Sequence, residues 1–201
     1  MNINPIGKLY NKGDILMNNK ENESLKRKTL WIARTAVLVA LLIVAQLATA
    51  PLGNPLITGS IVNLLLVVSV MTCGIASGLS VAAVSPVLAK LIGIGPLWAL
   101  IPFIMAGNIV LVLAWHLIGN RNFSGKKYLT YIITLIIAAL AKFAVLYLGI
   151  VKIAVPLILK LPEPQASVIS GMFSLPQLLT ALIGGALAVV LFPRLQKIIK
   201  R

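Results

Sequence analysis

The chain has 201 residues, of which 59% are hydrophobic and 11% are charged, and its mean hydropathy is +1.01. A soluble globular domain carries roughly 25% charged residues, so this composition excludes a soluble enzyme and a disordered chain as default interpretations. Lysine and arginine number 18 against 4 acidic residues, which gives a net charge of +14. In a membrane protein such an excess sets the orientation of the chain and does not require a nucleic-acid partner.

Six apolar stretches are long enough to cross the hydrocarbon core of a bilayer, which takes about 20 helical residues. They cover residues 30–50, 56–73, 75–93, 97–118, 128–150 and 166–192. The clearest connectors between them are the polar loop 119–127 and the proline-rich segment 152–165. We therefore expect an all-α integral membrane protein with a six-helix transmembrane bundle.

The basic residues predict that both termini lie in the cytoplasm (N-in/C-in). With this orientation 14 of the 18 basic residues fall in cytoplasmic segments, in agreement with the positive-inside rule. The predicted organisation has three parts: a basic tail over residues 1–29, the membrane domain over residues 30–192 and a second basic tail over residues 193–201. The first tail is polar, and we expect it to be disordered and to touch anionic lipid.

The sequence also predicts where translation of the natural protein starts. Residues 12–14 read Lys-Gly-Asp, which a purine-rich stretch resembling a bacterial ribosome-binding site can encode, two codons before Met17. We expect the natural start to be Met17. The intact mass of the native protein tests this expectation.

The predicted spans lack the groups that drive most membrane chemistry. None of the four acidic residues lies in a span, although proton-coupled transporters usually carry an intramembrane carboxylate. No P-loop pattern occurs, and the single histidine (His116) and single cysteine (Cys73) cannot form a four-ligand zinc site. We therefore expect no enzymatic activity, no metal and no cofactor.

Small residues share one face of the first predicted helix. Ala36 and Ala40 are four residues apart, and Ala33 lies beside them. Small side chains at this spacing allow another helix to approach closely. The approaching helix belongs either to this bundle or to another protein.

Several polar side chains fall inside the predicted spans or at their external ends. They are Gln46, Asn54, Thr58, Asn63, Asn108, Lys142 and Gln177. An unpaired polar group in hydrocarbon is costly, so these groups either pair across helices or meet a ligand. For Lys142 no acidic residue in the spans is available as a partner, so an anionic ligand group is a natural one.

With these features the chain resembles an S-component, the substrate-binding subunit of an energy-coupling factor (ECF) type ABC transporter. The resemblance covers roughly residues 28–195. Besides the six-span layout, it is carried by the Ala36-x-x-x-Ala40 face, Thr58-Gly-Ser-Ile-Val-Asn63, Pro102-Phe-Ile-Met-Ala-Gly-Asn108, Ala141-Lys-Phe143 and Pro176-Gln-Leu-Leu-Thr-Ala181. The first external loop, Pro51 to Pro55, is short for a pocket lid.

The resemblance implies a protein of the bacterial plasma membrane that binds a vitamin or related micronutrient at its external face. It would deliver this small molecule by docking onto a transmembrane coupling subunit driven by two cytoplasmic ATPases, with toppling of the whole subunit in the bilayer. The docking residues would be Ala33, Ala36 and Ala40. The substrate-binding residues would be Asn54, Thr58, Asn63, Asn108, Lys142 and Gln177.

The alternative hypothesis is a membrane scaffold or assembly factor that uses the small-residue face to bind another membrane protein and needs no pocket. An intramembrane enzyme is a third hypothesis, for which no acid–base pair is visible. Neither nucleic acid nor a particular substrate is indicated by the residues.

Overall fold

The computed structural model describes residues 12–121 and 127–199, with side chains over 16–121 and 127–195. The regular elements in these ranges are helical. They are α1 (Lys12–Thr49), α2 (Pro55–Cys73), α3 (Ile75–Leu91), α4 (Ile101–Leu117), α5 (Lys127–Leu146), α6 (Glu163–Met172) and α7 (Leu175–Ile199), with short 3₁₀ turns at Ala50–Leu52 and Trp98–Leu100 and a π-helical segment at Tyr147–Leu159. The chain forms two compact units, residues 1–34 and residues 35–201.

The first unit is helical from Lys12 onward. An exposed ion pair one helical turn apart joins Arg27 to Glu23 at 3.6 Å. Residues 12–29, for which the composition predicts disorder, are thus helical in this structure, whereas residues 1–11 lie outside the described part of the chain.

Among the described residues, five helical stretches are long and apolar enough to cross a membrane. They are Leu16–Leu52, Pro55–Cys73, Trp98–Leu117, Lys127–Leu159 and Glu163–Leu195. A sixth apolar helix, Ile75–Leu91, is shorter at 17 residues. These six helical stretches overlap the six apolar segments of the sequence in the same order.

The helices differ in extent from three of the expected segments. The connector predicted for residues 152–165 is helical as far as Leu159, because Ile150, Ala154 and Val155 are buried against Phe173, and this burial outweighs the cost of Pro156 inside the helix. The last predicted span, 166–192, is divided between α6 and α7. In addition, α7 continues through Pro193 to Ile199, so most of the predicted C-terminal tail is helical.

The second unit has two hydrophobic clusters. The larger one joins α2, α3, α4, α5 and α7 and includes Leu42 of α1, which is fully buried. The smaller one consists of Leu100, Leu146, Ile150, Ala154, Val155 and Phe173. It holds the π-helical segment and the α6–α7 junction beside the end of α5, and Leu146 and Phe173 from it border the site described next.

Candidate functional site: a polar cavity in the helix bundle

A cavity of about 200 Å³ lies among the helices of the second unit. Its wall combines apolar side chains with amide, hydroxyl and ammonium groups. The lining residues are Gln46, Pro55, Thr58, Gly59, Val62, Asn63, Ser85, Pro86, Ile94, Gly95, Ile104, Asn108, Lys142, Leu146, Phe173 and Gln177. An apolar wall with a few convergent polar groups is the usual construction of a small-molecule site.

Lys142 is the cation of this wall, and its side chain is 3% exposed. Its Nζ donates to Asn63 Oδ1 at 2.6 Å and to Asn108 Oδ1 at 2.7 Å. The contacts join α5 to α2 and α4. No carboxylate is among the described residues that line the cavity. An ammonium group has three N–H donors, so two neutral amides occupy two donors and leave one for another acceptor.

A second layer of hydrogen bonds fixes the amide of Asn63. Its Nδ2 donates to Thr180 Oγ1 at 3.2 Å, and Thr180 Oγ1 donates to the backbone oxygen of Gln177 at 3.1 Å. Because the amide nitrogen is engaged with Thr180, the amide oxygen is directed at Lys142. Thr180 therefore connects α7 to the lysine through Asn63.

Two glycines allow α2 and α7 to approach closely enough for these bonds. A Cβ on Gly59 would lie 2.8 Å from Thr180 Cγ2, and a Cβ on Gly184 would lie 2.7 Å from Asn63 Cβ. The Gly184 position also abuts the backbone oxygen of Ser60. A side chain at either position would thus require the two helices to separate.

Five of the six residues expected to bind a substrate are brought together at the cavity: Thr58, Asn63, Asn108, Lys142 and Gln177. Asn54 does not line it. Its side chain caps α2 by accepting a hydrogen bond from the backbone nitrogen of Leu56 at 2.9 Å, which is a common role of asparagine at this position.

Some wall residues were not identified as site residues from sequence. Gln46 was noted only as a polar residue, Ser85 and Phe173 were not singled out, and the supporting Thr180 was quoted only within the run Pro176–Ala181. Thr180 lies three residues after Gln177, which places both on one face of α7, and this spacing is the signal that was available.

Two alanines of the expected docking face, Ala36 and Ala40, are exposed within the second unit. Thr35 beside them is buried and forms a 2.7 Å hydrogen bond with Ser77 of α3. Ala36 and Ala40 are therefore not packed against the other helices of this unit, and their surface is open to lipid or to another protein. Ala33, in the first unit, is also exposed.

No group of three or more metal-ligating side chains occurs in the described ranges. His116, at the end of α4, lies 3.3 Å from Asn120 Nδ2 through its Nδ1. Neither His116 nor Cys73 lines the polar cavity.

Long apolar helices around a partly open cavity with polar groups in its wall define an integral membrane protein with a candidate small-molecule site. A family model described as "ECF transporter, substrate-specific component" matches residues 30–196. The chain belongs to this family and is a multi-pass plasma-membrane protein, a substrate-binding transporter subunit. Comparison with curated proteins and with solved structures found no match. Members of this family are subunits of transporters, and the family implies a micronutrient substrate and a membrane complex with coupling and ATPase subunits.

Proposed function

We propose that this chain captures a vitamin or related micronutrient from the external side in the polar cavity. It then delivers the molecule by docking onto a coupling subunit that two separate ATPases drive. In this proposal all six apolar helices span the bilayer, and both termini lie in the cytoplasm. The substrate contacts are Thr58, Asn63, Asn108, Lys142 and Gln177.

The observation that carries the proposal is the position of Lys142 in the cavity wall. Two amide oxygens hold its ammonium group without neutralising it, and a charge removed from water without an opposite charge is costly. A carboxylate or phosphate of a bound ligand would accept from the remaining N–H donor and supply the missing charge. An anionic micronutrient is therefore the favoured substrate.

The proposal is tested by screening vitamins against the purified protein in detergent. Ligands are identified by their effect on thermal stability, and their affinity is measured by calorimetry. We expect Lys142→Met to weaken an anionic ligand about ten- to hundredfold, because a hydrogen bond to a charged group contributes about 1.5–3 kcal/mol.

Two further variants make this experiment specific. Lys142→Gln retains N–H donors and removes the charge, so it separates the electrostatic contribution from the hydrogen bonds. Lys127→Met removes the same charge from an exposed position of α5, about 22 Å away along the helix at 1.5 Å per residue. Unchanged affinity in both Lys142 variants, or equal loss in Lys127→Met, would contradict the role of Lys142.

The exposed alanine face also favours the second hypothesis, a membrane scaffold. The two functions differ in their partners. The transporter subunit should co-purify with an integral coupling subunit and ATPases, whereas a scaffold should co-purify with neither and should bind no vitamin in the thermal screen.

A further inference from the structure

Asn108, on α4, offers the cavity a hydrogen-bond donor that the described chain does not use. Its Oδ1 accepts from Lys142 Nζ at 2.7 Å, and this contact orients the amide because an ammonium group only donates. Its Nδ2 has no hydrogen-bond partner in the described ranges. Asn63 holds the same lysine, but its Nδ2 already donates to Thr180. The two asparagines therefore differ in the free N–H of Asn108.

This nitrogen is open to the cavity. Four buried side-chain atoms in the described ranges lack a partner and are also closed to water, and they belong to Gln46, Ser60, Trp115 and Tyr131. Asn108 Nδ2 is not one of them, so a water molecule can touch it although the residue is only 2% exposed. Because Asn108 lines the cavity, a ligand bound there can reach the same atom.

The free N–H lies beside the ammonium group. Oδ1 and Nδ2 of Asn108 are bonded to the same carbon, and Oδ1 contacts Lys142 Nζ directly. The remaining N–H of Lys142 and the free N–H of Asn108 thus form a pair of neighbouring donors in the wall. A carboxylate carries two oxygens on one carbon and can accept from both donors at once.

The charge of the wall favours a carboxylate over a phosphate. Among the described residues that line the cavity, Lys142 is the one with a charged side chain. One carboxylate balances one ammonium group, whereas a phosphate monoester carries a charge of about −1.5 to −2 at pH 7. The excess negative charge would remain uncompensated away from water, which is costly.

We infer that the cavity binds a carboxylate of its ligand through both oxygens, one on Lys142 Nζ and the other on Asn108 Nδ2. This inference rests on the proposed function and adds to it the acid group of the substrate and a specificity-determining residue. Asn63, whose amide is fully engaged, contributes no such donor.

The test compares ligands that differ in the acid group. Benzoate and benzamide have the same shape, but the amide is neutral and presents an NH₂ group in place of the second oxygen. A cavity of about 150 Å³ in another protein accommodates benzene, so one ring fits a cavity of about 200 Å³. Hexanoate and hexanamide repeat the comparison without a ring, and phenyl phosphate replaces the carboxylate by a phosphate. Each compound is titrated calorimetrically into the purified full-length protein.

We expect at least one carboxylate to bind about tenfold or more tightly than its amide, and phenyl phosphate to bind more weakly than that carboxylate. Asn108→Leu should weaken the carboxylate about ten- to hundredfold, the range for loss of a hydrogen bond to a charged group. It should leave the affinity for the matching amide unchanged or raise it, because no N–H then opposes the NH₂ group of the ligand. A general disturbance of the cavity would weaken both ligands alike.

Two further variants make the result specific. Asn108→Asp keeps the shape of the side chain and an oxygen at Lys142 but turns the donor into an acceptor, so the amide should now bind more tightly than the carboxylate. Asn63→Leu is the matched control, because it removes the other amide contact of Lys142 and no free donor. It should weaken the carboxylate and its amide by similar factors.

Three results would overturn the inference: neither carboxylate exceeds its amide, phenyl phosphate binds more tightly than both carboxylates, or the preference for the carboxylate survives in the Asn108 variants. If the vitamin screen finds a ligand and neither carboxylate exceeds its amide, this inference fails while the proposed function stands. If no compound in either screen binds, both fail.

Discussion

The two asparagines that contact Lys142 are limited in their orientation by that contact. The lysine accepts no hydrogen bonds, so both asparagines must present their oxygens to it. For Asn63 this orientation is secured by Thr180, whose hydroxyl accepts a hydrogen bond from the amide nitrogen and donates one to the backbone oxygen of Gln177. Thr180 is therefore a positioning residue for the cavity, although it does not line it.

At this scale we predict that Thr180→Val destabilises the protein by about 1–3 kcal/mol, because the buried Asn63 amide loses its acceptor. Valine has nearly the same shape, so the change removes the hydroxyl with little change in packing. The free energy of unfolding in detergent is the measurement. The affinity for an anionic ligand should fall as well, because the Asn63 amide is no longer fixed.

Thr134→Val is the matched control. Thr134 is fully buried on α5, and its hydroxyl bonds to the backbone oxygen of Thr130 in its own helix. That oxygen keeps its place in the helix when the hydroxyl is removed. Equal loss of stability and affinity in the two variants would mean that Thr180 has no special connection to the lysine.

The polar residues of the site were predictable, but their pairing was not. The cost of placing Asn63, Asn108 and Lys142 in hydrocarbon predicts that they face inward, and they do line one cavity. The partners of Lys142 are 79 and 34 residues away in the chain. Sequence spacing within single helices carries no information on contacts of this range. The hydrogen bonds from Lys142 to Asn63 and Asn108 were therefore visible only in the structure.

At the scale of the elements, the approach of α7 to α2 determines the geometry of the cavity wall. Gly184 lies against the backbone oxygen of Ser60, Asn63 Cβ and the backbone nitrogen of Leu64. Backbone atoms cannot rotate away as the end of a flexible side chain can. The contact therefore tolerates no added atom without movement of a whole helix.

We predict that Gly184→Ala destabilises the protein by about 1–3 kcal/mol, the usual cost of overpacking a close contact, and weakens ligand binding because Asn63 is displaced. Gly171→Ala is the control, since a Cβ there meets nothing within 4 Å and alanine favours a helix over glycine. Thermal unfolding with and without ligand compares the two. Wild-type stability in Gly184→Ala would show that the helices separate freely.

Composition predicted the presence of the helices more accurately than it predicted their ends. Apolar length predicts the six stretches, because a membrane-spanning helix satisfies all its backbone hydrogen bonds internally. The end of the fifth stretch was missed, because a proline such as Pro156 usually ends a helix. Here buried neighbouring residues stabilise the helix beyond it. The break between α6 and α7 occurs in a run that is apolar throughout, so hydropathy did not reveal it.

At the scale of the whole molecule, α1 carries an exposed small-residue surface in the described bundle. Ala36 and Ala40 lie a turn apart on α1 and are exposed, whereas Leu42 of the same helix is fully buried. One side of this part of α1 is thus anchored in the bundle, and the alanine side is open to lipid or to a helix of another protein.

We predict that Ala36→Leu or Ala40→Leu blocks uptake of the substrate and leaves its binding to the purified protein unchanged. The added bulk would keep the coupling subunit at a distance without reaching the cavity. Uptake is measured in cells that carry the complete transporter, and binding by calorimetry. Ala186→Leu, the same change at an exposed alanine of α7, should affect neither quantity. Loss of binding in the α1 variants would mean that these alanines serve the fold.

The hydrogen-bonded position of Lys142 also bears on how the membrane potential acts on the subunit. Two neutral amides hold the charge of a protonated Lys142 in place, so an empty subunit that topples would carry this charge through part of the electric field. Moving one elementary charge across the full field costs about 2.3 kcal/mol per 100 mV. A bound carboxylate would cancel that charge. Reorientation of the loaded subunit would then depend little on voltage, whereas reorientation of the empty subunit would depend on it.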